Sequence, residues 1–171
     1  TYYNPITAKQ ETTIYTEQDE IDLGIALDNK LCKDFKIVEN PETIFKGFYQ
    51  TCAKVAENSD RKNLKFTFKV IENKEVNAFS IPGGFVYVYT GLLKQINSAD
   101  ELACVVGHEI GHICNRDGIH QLEKQLLYSI PTSILFGSGR QKALQQVADT
   151  VFTLSMLSYS RTQEIQADTL G

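Results

Sequence analysis

The chain has 171 residues, with 17 Lys and Arg against 21 Asp and Glu and a formal net charge of −4. At this length one globular domain can bury about 70% of its unfolded surface, and an apolar share of 42% with 22% charged residues is the ordinary balance of such a domain. The charge gives no electrostatic case for nucleic acid, and no apolar run approaches the roughly 20 residues of a membrane-spanning helix.

Taken in chain order, residues 1–15 read as extended and polar. The absence of an initial Met and of a signal peptide leads us to expect a processed or trimmed product. Thr16 with Asp19 and Glu20 opens a helix to about Asp34, with Ile21, Gly24, Ile25, Leu27 and Leu31 near helical spacing. Pro41, in a first turn, opens a second helix to about Asn58. Leu64 to Glu72 alternates, with Phe66, Phe68 and Val70 on one face and Lys65, Thr67 and Lys69 on the other, which predicts a half-buried strand. Two further strands, near Val76–Ile81 and Phe85–Tyr89, are joined through Pro82-Gly83-Gly84. Ser98-Ala99-Asp100-Glu101 is a capping-box pattern, with Glu101 expected to reach back, and predicts a helix from about Ala99 to Asn115. A polar helix near 119–129, a turn from Pro131 through Gly139 and a helix from about Arg140 to Leu157 follow. Ser160 with Gln163 repeats the capping pattern and starts a last helix near Arg161. The result is one α+β domain over 1–171 with helices packed on a small sheet.

Two of the three histidines fall in His108-Glu109-Ile110-Gly111-His112, an H-E-x-x-H motif on the predicted 99–115 helix. Positions i and i+4 point the same way, so both imidazoles can reach one metal ion. Glu109 lies about 100° around the axis from His108, where a carboxylate can take a proton from the attacking water. Leu102, Ala103, Val106, Ile110 and Ile113 cluster opposite the histidines, so the helix is expected to bury that side and present His108 and His112 on the other. Gly107 and Gly111 each cost about 1 kcal/mol relative to Ala. Close approach of another backbone or of a substrate is one explanation; simple tolerance is the other.

A catalytic zinc usually has three protein ligands. His120 lies eight residues past His112, and the position six residues past it is Gly118, so the third ligand is expected to be a carboxylate further on. Glu164 is the candidate. Asp168 is one turn later on the same face, so one carboxylate can bind metal while the other holds a ligand histidine's distal N–H. Cys104 shares the histidine face one turn before His108 and could line the site, but three ligands already serve a zinc, and a small buried thiol is expected there. Cys32 and Cys52 can pair in an oxidising compartment, as can Cys104 or Cys114 with either; the sequence leaves the pairing open.

H-E-I-G-H followed about fifty residues later by S-R-x-x-E-x-x-A-D resembles the HtpX/BepA-like gluzincin metallopeptidases of peptidase family M48, which also holds the CAAX prenyl proteases. Asn77-Ala78-Phe79-Ser80-Ile81-Pro82-Gly83-Gly84 is similar to that family's N-A-F-x-x-P-G-G strand segment, and Tyr3-Asn4-Pro5-Ile6-Thr7-Ala8-Lys9 to the start of its mature bacterial envelope members. The resemblance implies a zincin-like fold, one Zn2+ held by His108, His112 and Glu164, Glu109 as general base and acid, and Asp168 behind a ligand histidine. Relatives place a further His where this chain has Asn115-Arg116-Asp117, and they continue past the A-D segment, so a catalytic-domain fragment is expected.

The implied chemistry is zinc-assisted hydrolysis of peptide bonds, with polypeptide as substrate. An extended peptide is expected to lie along an edge strand in the 77–90 region, with Asn77, Ala78, Phe79, Gly83 and Gly84 as the substrate strand. By resemblance the setting is protein quality control in a bacterial envelope, on the periplasmic side, with any membrane contact through a lipid anchor outside this chain. The rival readings are a zinc-binding, chaperone-like or latent module without turnover, and a helical interaction domain without metal.

Overall fold

A computed structural model describes residues 2–4, 9–11, 13, 15–129, 164 and 167–169. The N-terminal segment forms a two-stranded antiparallel ribbon of β1 (Tyr2–Asn4) and β2 (Lys9–Glu11), with Tyr2 opposite Glu11. The first helix, α1 (Glu17–Asp34), starts where the sequence puts it. Thr16 Oγ1 accepts from the Asp19 amide at 3.1 Å, and Asp19 Oδ2 accepts from the Thr16 amide at 3.0 Å, a complete capping box. Leu23, Leu27 and Leu31, spaced by four, form its buried stripe.

The helix expected from Pro41 to Asn58 is two pieces. A 3-10 turn, Pro41–Thr43, is followed by a break, and α2 runs Phe48–Glu57. The Glu42 carboxylate accepts from the amides of Gly47 (2.6 Å) and Tyr49 (3.0 Å), and Gly47 sits at φ +85°. A side chain therefore satisfies the first amides of α2, which a continuous helix would have bonded internally.

The sheet is mixed: β3 (Thr67–Ile71) runs parallel to β5 (Phe85–Tyr89), which pairs antiparallel with β4 (Ala78–Ile81), in the order β3-β5-β4. Ile71, Phe79, Ile81, Tyr87 and Tyr89 pack under the leucines of α1. Phe66, Phe68, Val70, Ala78, Val86 and Val88 face α2 and the motif helix, α4 (Ala99–Cys114), which a short α3 (Thr90–Leu93) precedes. The sheet is thus covered on both faces. The face of β3 expected to be polar lies under α1, where the Lys69 ammonium pairs with Asp28 and the Tyr87 hydroxyl donates to the same carboxylate at 2.6 Å.

After α4 comes α5 (Asp117–Ser129), whose Ile119 and Leu122 join the α1 side of the core. The architecture is α+β and zincin-like, with a motif helix laid beneath the edge strand of a small sheet. The turn expected at 131–139 and the helix expected at 140–157 lie outside the described residues; of the last predicted helix, Glu164 and residues 167–169 are helical. All four cysteines are free thiols. Cys104 departs from its expected burial: it is exposed, beside a cavity of about 330 Å³ that α2 and α4 line with Lys54, Val55, Asn58, Ser59, Ala103 and Gly107. Among the described residues no helix is long and apolar enough to cross a membrane.

Candidate metal centre

Ser98 caps α4, its Oγ accepting from the Glu101 amide at 3.1 Å. Glu101 does not close the box on Ser98; its carboxylate accepts from the amide of Asn97 at 2.8 Å. In the second half of this helix the two imidazoles stand edge to face, with ring centres 4.7 Å apart and Nε2 atoms 3.1 Å apart. Glu164 Oε2 lies 3.2 Å from His108 Nε2, and Oε1 lies 3.8 Å from His112 Nε2. Ligand atoms of His108, His112 and Glu164 all fall within 4.8 Å of one another.

The helix bearing Glu164 reaches α4 because of a glycine. A Cβ built on Gly111 would stand 2.5 Å from the carbonyl oxygen of Ala167, so the two backbones touch at a point that no larger residue allows. Close backbone approach, one of the two readings of this glycine, is what the structure contains. The histidine face is correspondingly less open than its helical position predicts: the His112 side chain is 2% exposed.

Both ring Nδ1 atoms meet carboxylates. His108 Nδ1 lies 2.7 Å from Asp168 Oδ1, and His112 Nδ1 lies 2.7 Å from Asp117 Oδ2. A carboxylate only accepts, so each Nδ1 carries a hydrogen, which leaves the two Nε2 atoms, 3.1 Å apart, as the ring atoms that can turn toward a shared ion. Nitrogens each about 2.0–2.1 Å from a shared tetrahedral ion stand roughly 3.3 Å apart. The donor set therefore fits zinc in spacing and in tautomer. Asp117 escaped the sequence reading, because a position five residues after His112 follows no helical repeat.

Glu109 is buried beside these groups, and its carboxylate lies next to the hydroxyl of Ser80 on β4. Burial pushes the carboxyl above its usual range and Glu164 adds to the effect, while His112, the Ser80 hydroxyl and His108 oppose it. Its Oε2 has no hydrogen-bond partner among the described residues. Ser80 stands within the N-A-F-x-x-P-G-G stretch, but its role depends on strand register and is not visible in the pattern.

The expected substrate strand divides. Asn77 is exposed and Ala78 half-buried at the sheet edge, but Phe79 is buried and stacked on Tyr87 at 4.9 Å. Gly83 and Gly84 are buried in the hairpin turn at φ +83° and +94°, packed against α1 and Lys65, and shape that turn. The Tyr89 amide donates to the Asn77 carbonyl at 3.0 Å, which makes 77/89, 79/87 and 81/85 the bonded pairs. Ala78 and Ser80 therefore turn their backbone groups outward along the edge, with Ser80 beside Glu109.

The fold is zincin-like, and His108, His112 and Glu164 form a cluster that could hold a metal ion. Residues 46–171 match the model of Peptidase family M48. The chain is 33% identical over 117 residues to the mitochondrial metalloendopeptidase OMA1 of Arabidopsis thaliana, a match covering 68% of this chain and 23% of that protein. It is 32% identical over 126 residues to a putative beta-barrel assembly-enhancing protease of Vibrio cholerae, covering 68% of this chain and 26% of the relative. A third relative, the mitochondrial metalloendopeptidase OMA1 of Schizosaccharomyces pombe, is 32% identical over 115 residues, with 66% and 33% covered. The chain belongs to peptidase family M48, a family of metal-dependent peptidases. It spans between about a quarter and a third of the length of these relatives.

Proposed function

We propose that this domain is a zinc endopeptidase acting on extended or unfolded polypeptide, with His108, His112 and Glu164 holding one zinc ion and Glu109 moving the proton. The observation that carries the reading is a buried glutamate on the same helical turn as two imidazoles whose Nε2 atoms stand 3.1 Å apart beside a third donor. Zinc, when bound, supplies a Lewis acid for the scissile carbonyl and brings the pKa of the attacking water toward about 7.

Glu109 takes the proton from that water during attack and delivers it to the amine nitrogen as the peptide bond breaks. Burial, which raises its proton affinity, suits a group that must hold a proton between two transfers. Ser80 stands beside its carboxylate, and Asp168 fixes the ring of His108. The peptide lies along β4 and pairs with the outward backbone groups of Ala78 and Ser80, which gives affinity with little sequence selectivity. Asn77 and Phe79 bond inward and set the strand rather than meet the substrate.

The working place is the bacterial cell envelope, on its periplasmic side, in protein quality control. Similarity to beta-barrel assembly-enhancing proteases supports this setting. The test is cleavage of a labelled unfolded protein before and after chelation. Activity that vanishes with the metal and returns with one equivalent of zinc agrees with the reading; cleavage that survives complete metal removal refutes it.

A further inference from the structure

We propose that Asp117 is the positioning residue of the His112 arm: it fixes the Nδ1–H tautomer of His112 and so aims the Nε2 lone pair at the metal. The inference rests on the metal-site reading above.

The geometry is specific. Asp117 Oδ2 lies 2.7 Å from His112 Nδ1, and both side chains are almost completely buried, at 1% and 2% exposure. An imidazole so enclosed has no water with which to exchange tautomers freely, so the group that accepts from Nδ1 decides which nitrogen is left for a metal. The other carboxylate oxygen is occupied as well: Asn115 Nδ2 donates to Asp117 Oδ1 at 2.6 Å. Asp117 is also the first residue of α5, whose unpaired amides and dipole favour a negative charge there. A buried carboxylate is costly unless hydrogen-bonded, and here neighbours bond both oxygens.

The chain reaches this position through one left-handed residue. Arg116 has φ +57°, the only non-glycine with positive φ among the described residues, and it folds Asp117 back beneath the last turn of α4. That is a conformation L-residues other than glycine rarely adopt. Arg116 is held by Glu20 of α1 at 2.8 Å and by the backbone carbonyls of Tyr15 (3.2 Å) and Thr16 (3.4 Å). Glu20 is fully buried, pairs also with Arg61 at 2.7 Å, and accepts from the Gly83 amide at 3.3 Å. A strained turn, clamped from a separate helix, is what sets a carboxylate behind His112.

The experiment is competitive zinc titration of Asp117→Asn and Asp117→Ser against the parent, with circular dichroism to confirm folding and 15N-resolved histidine NMR of the metal-free proteins. The expected result is a loss of zinc affinity of roughly 10–100-fold in both variants, with the parent's His112 as the Nδ1–H tautomer and the variants' His112 shifted toward Nε2–H. Folded variants that bind zinc within twofold of the parent overturn the proposal. A parent that binds no zinc fails the metal-site reading instead, and the NMR of its metal-free form still decides this one: an Nε2–H tautomer for His112 refutes it. The same NMR decides it if neither variant folds.

Discussion

His112 and Asp117 are 2% and 1% exposed, whereas His108 and Asp168 are 26% and 72% exposed, although both imidazole–carboxylate distances are 2.7 Å. The first pair closes over five residues through a turn built into the end of α4; the second spans 60 residues and depends on a separate helix docking at Gly111. Equal distances therefore do not mean equal constraint. In the buried arm the hydrogen bond acts in low dielectric with no water competing. In the exposed arm solvent screens the pair and either partner can trade it for water. We read the centre as a fixed half, belonging to the core, and an added half, delivered by the third-ligand helix.

The comparison can be broken most severely from below. Glu20→Ala removes the buried acid that Arg61 and Arg116 share and leaves two guanidinium groups under-compensated, one of them at the left-handed turn. Denaturant unfolding should show a loss of about 3–5 kcal/mol. A loss below 1 kcal/mol would mean that the turn carrying Asp117 is held by something else.

Glu109→Gln keeps the shape of the buried side but cannot accept the proton. It should leave zinc content near that of the parent and reduce turnover of an unfolded protein by 10²-fold or more, the order expected for a positioned acid–base. More than a tenth of parental turnover would remove Glu109 from the role.

Gly111→Ala addresses the added half alone. The new methyl would meet the Ala167 carbonyl at 2.5 Å, so the Glu164 helix must shift. A destabilisation of about 1–3 kcal/mol is expected, together with weaker zinc binding. Unchanged zinc affinity would show that Glu164 does not need that contact.

The smallest effect should come from Asp168→Asn. Its exposure places it near the low end of the range for a group behind a metal ligand, roughly tenfold in zinc affinity. The same titration that reads Asp117→Asn should give the larger loss there. The reverse order would contradict the division into a fixed and an added half.

Local signals carried much of this into the sequence. The capping pattern at Thr16 and the i, i+4 histidines are short-range, and the strand ending at Tyr89 and the start of α4 fall where the residues put them. What escaped depends on contacts between segments. Glu42 reaches forward to the amides that open α2 and splits a helix that propensity alone would run through. Lys69 reads as solvent-facing until α1 brings Asp28 over it. Ser80 meets Glu109 through strand register, and Asp117 meets His112 only because Arg116 takes a left-handed turn that its own side chain would not suggest. Cys104 is exposed because the neighbouring α2 leaves a cavity beside it, a matter of packing rather than of helical phase.

The most direct test of the central claim, one metal held between the two arms, is the zinc content of the purified chain by elemental analysis, read for the parent beside His108→Ala/His112→Ala. The account predicts one zinc per chain in the parent and less than a tenth of that in the double variant. A double variant that keeps its full zinc, or a parent that takes up none when zinc is supplied, would contradict it.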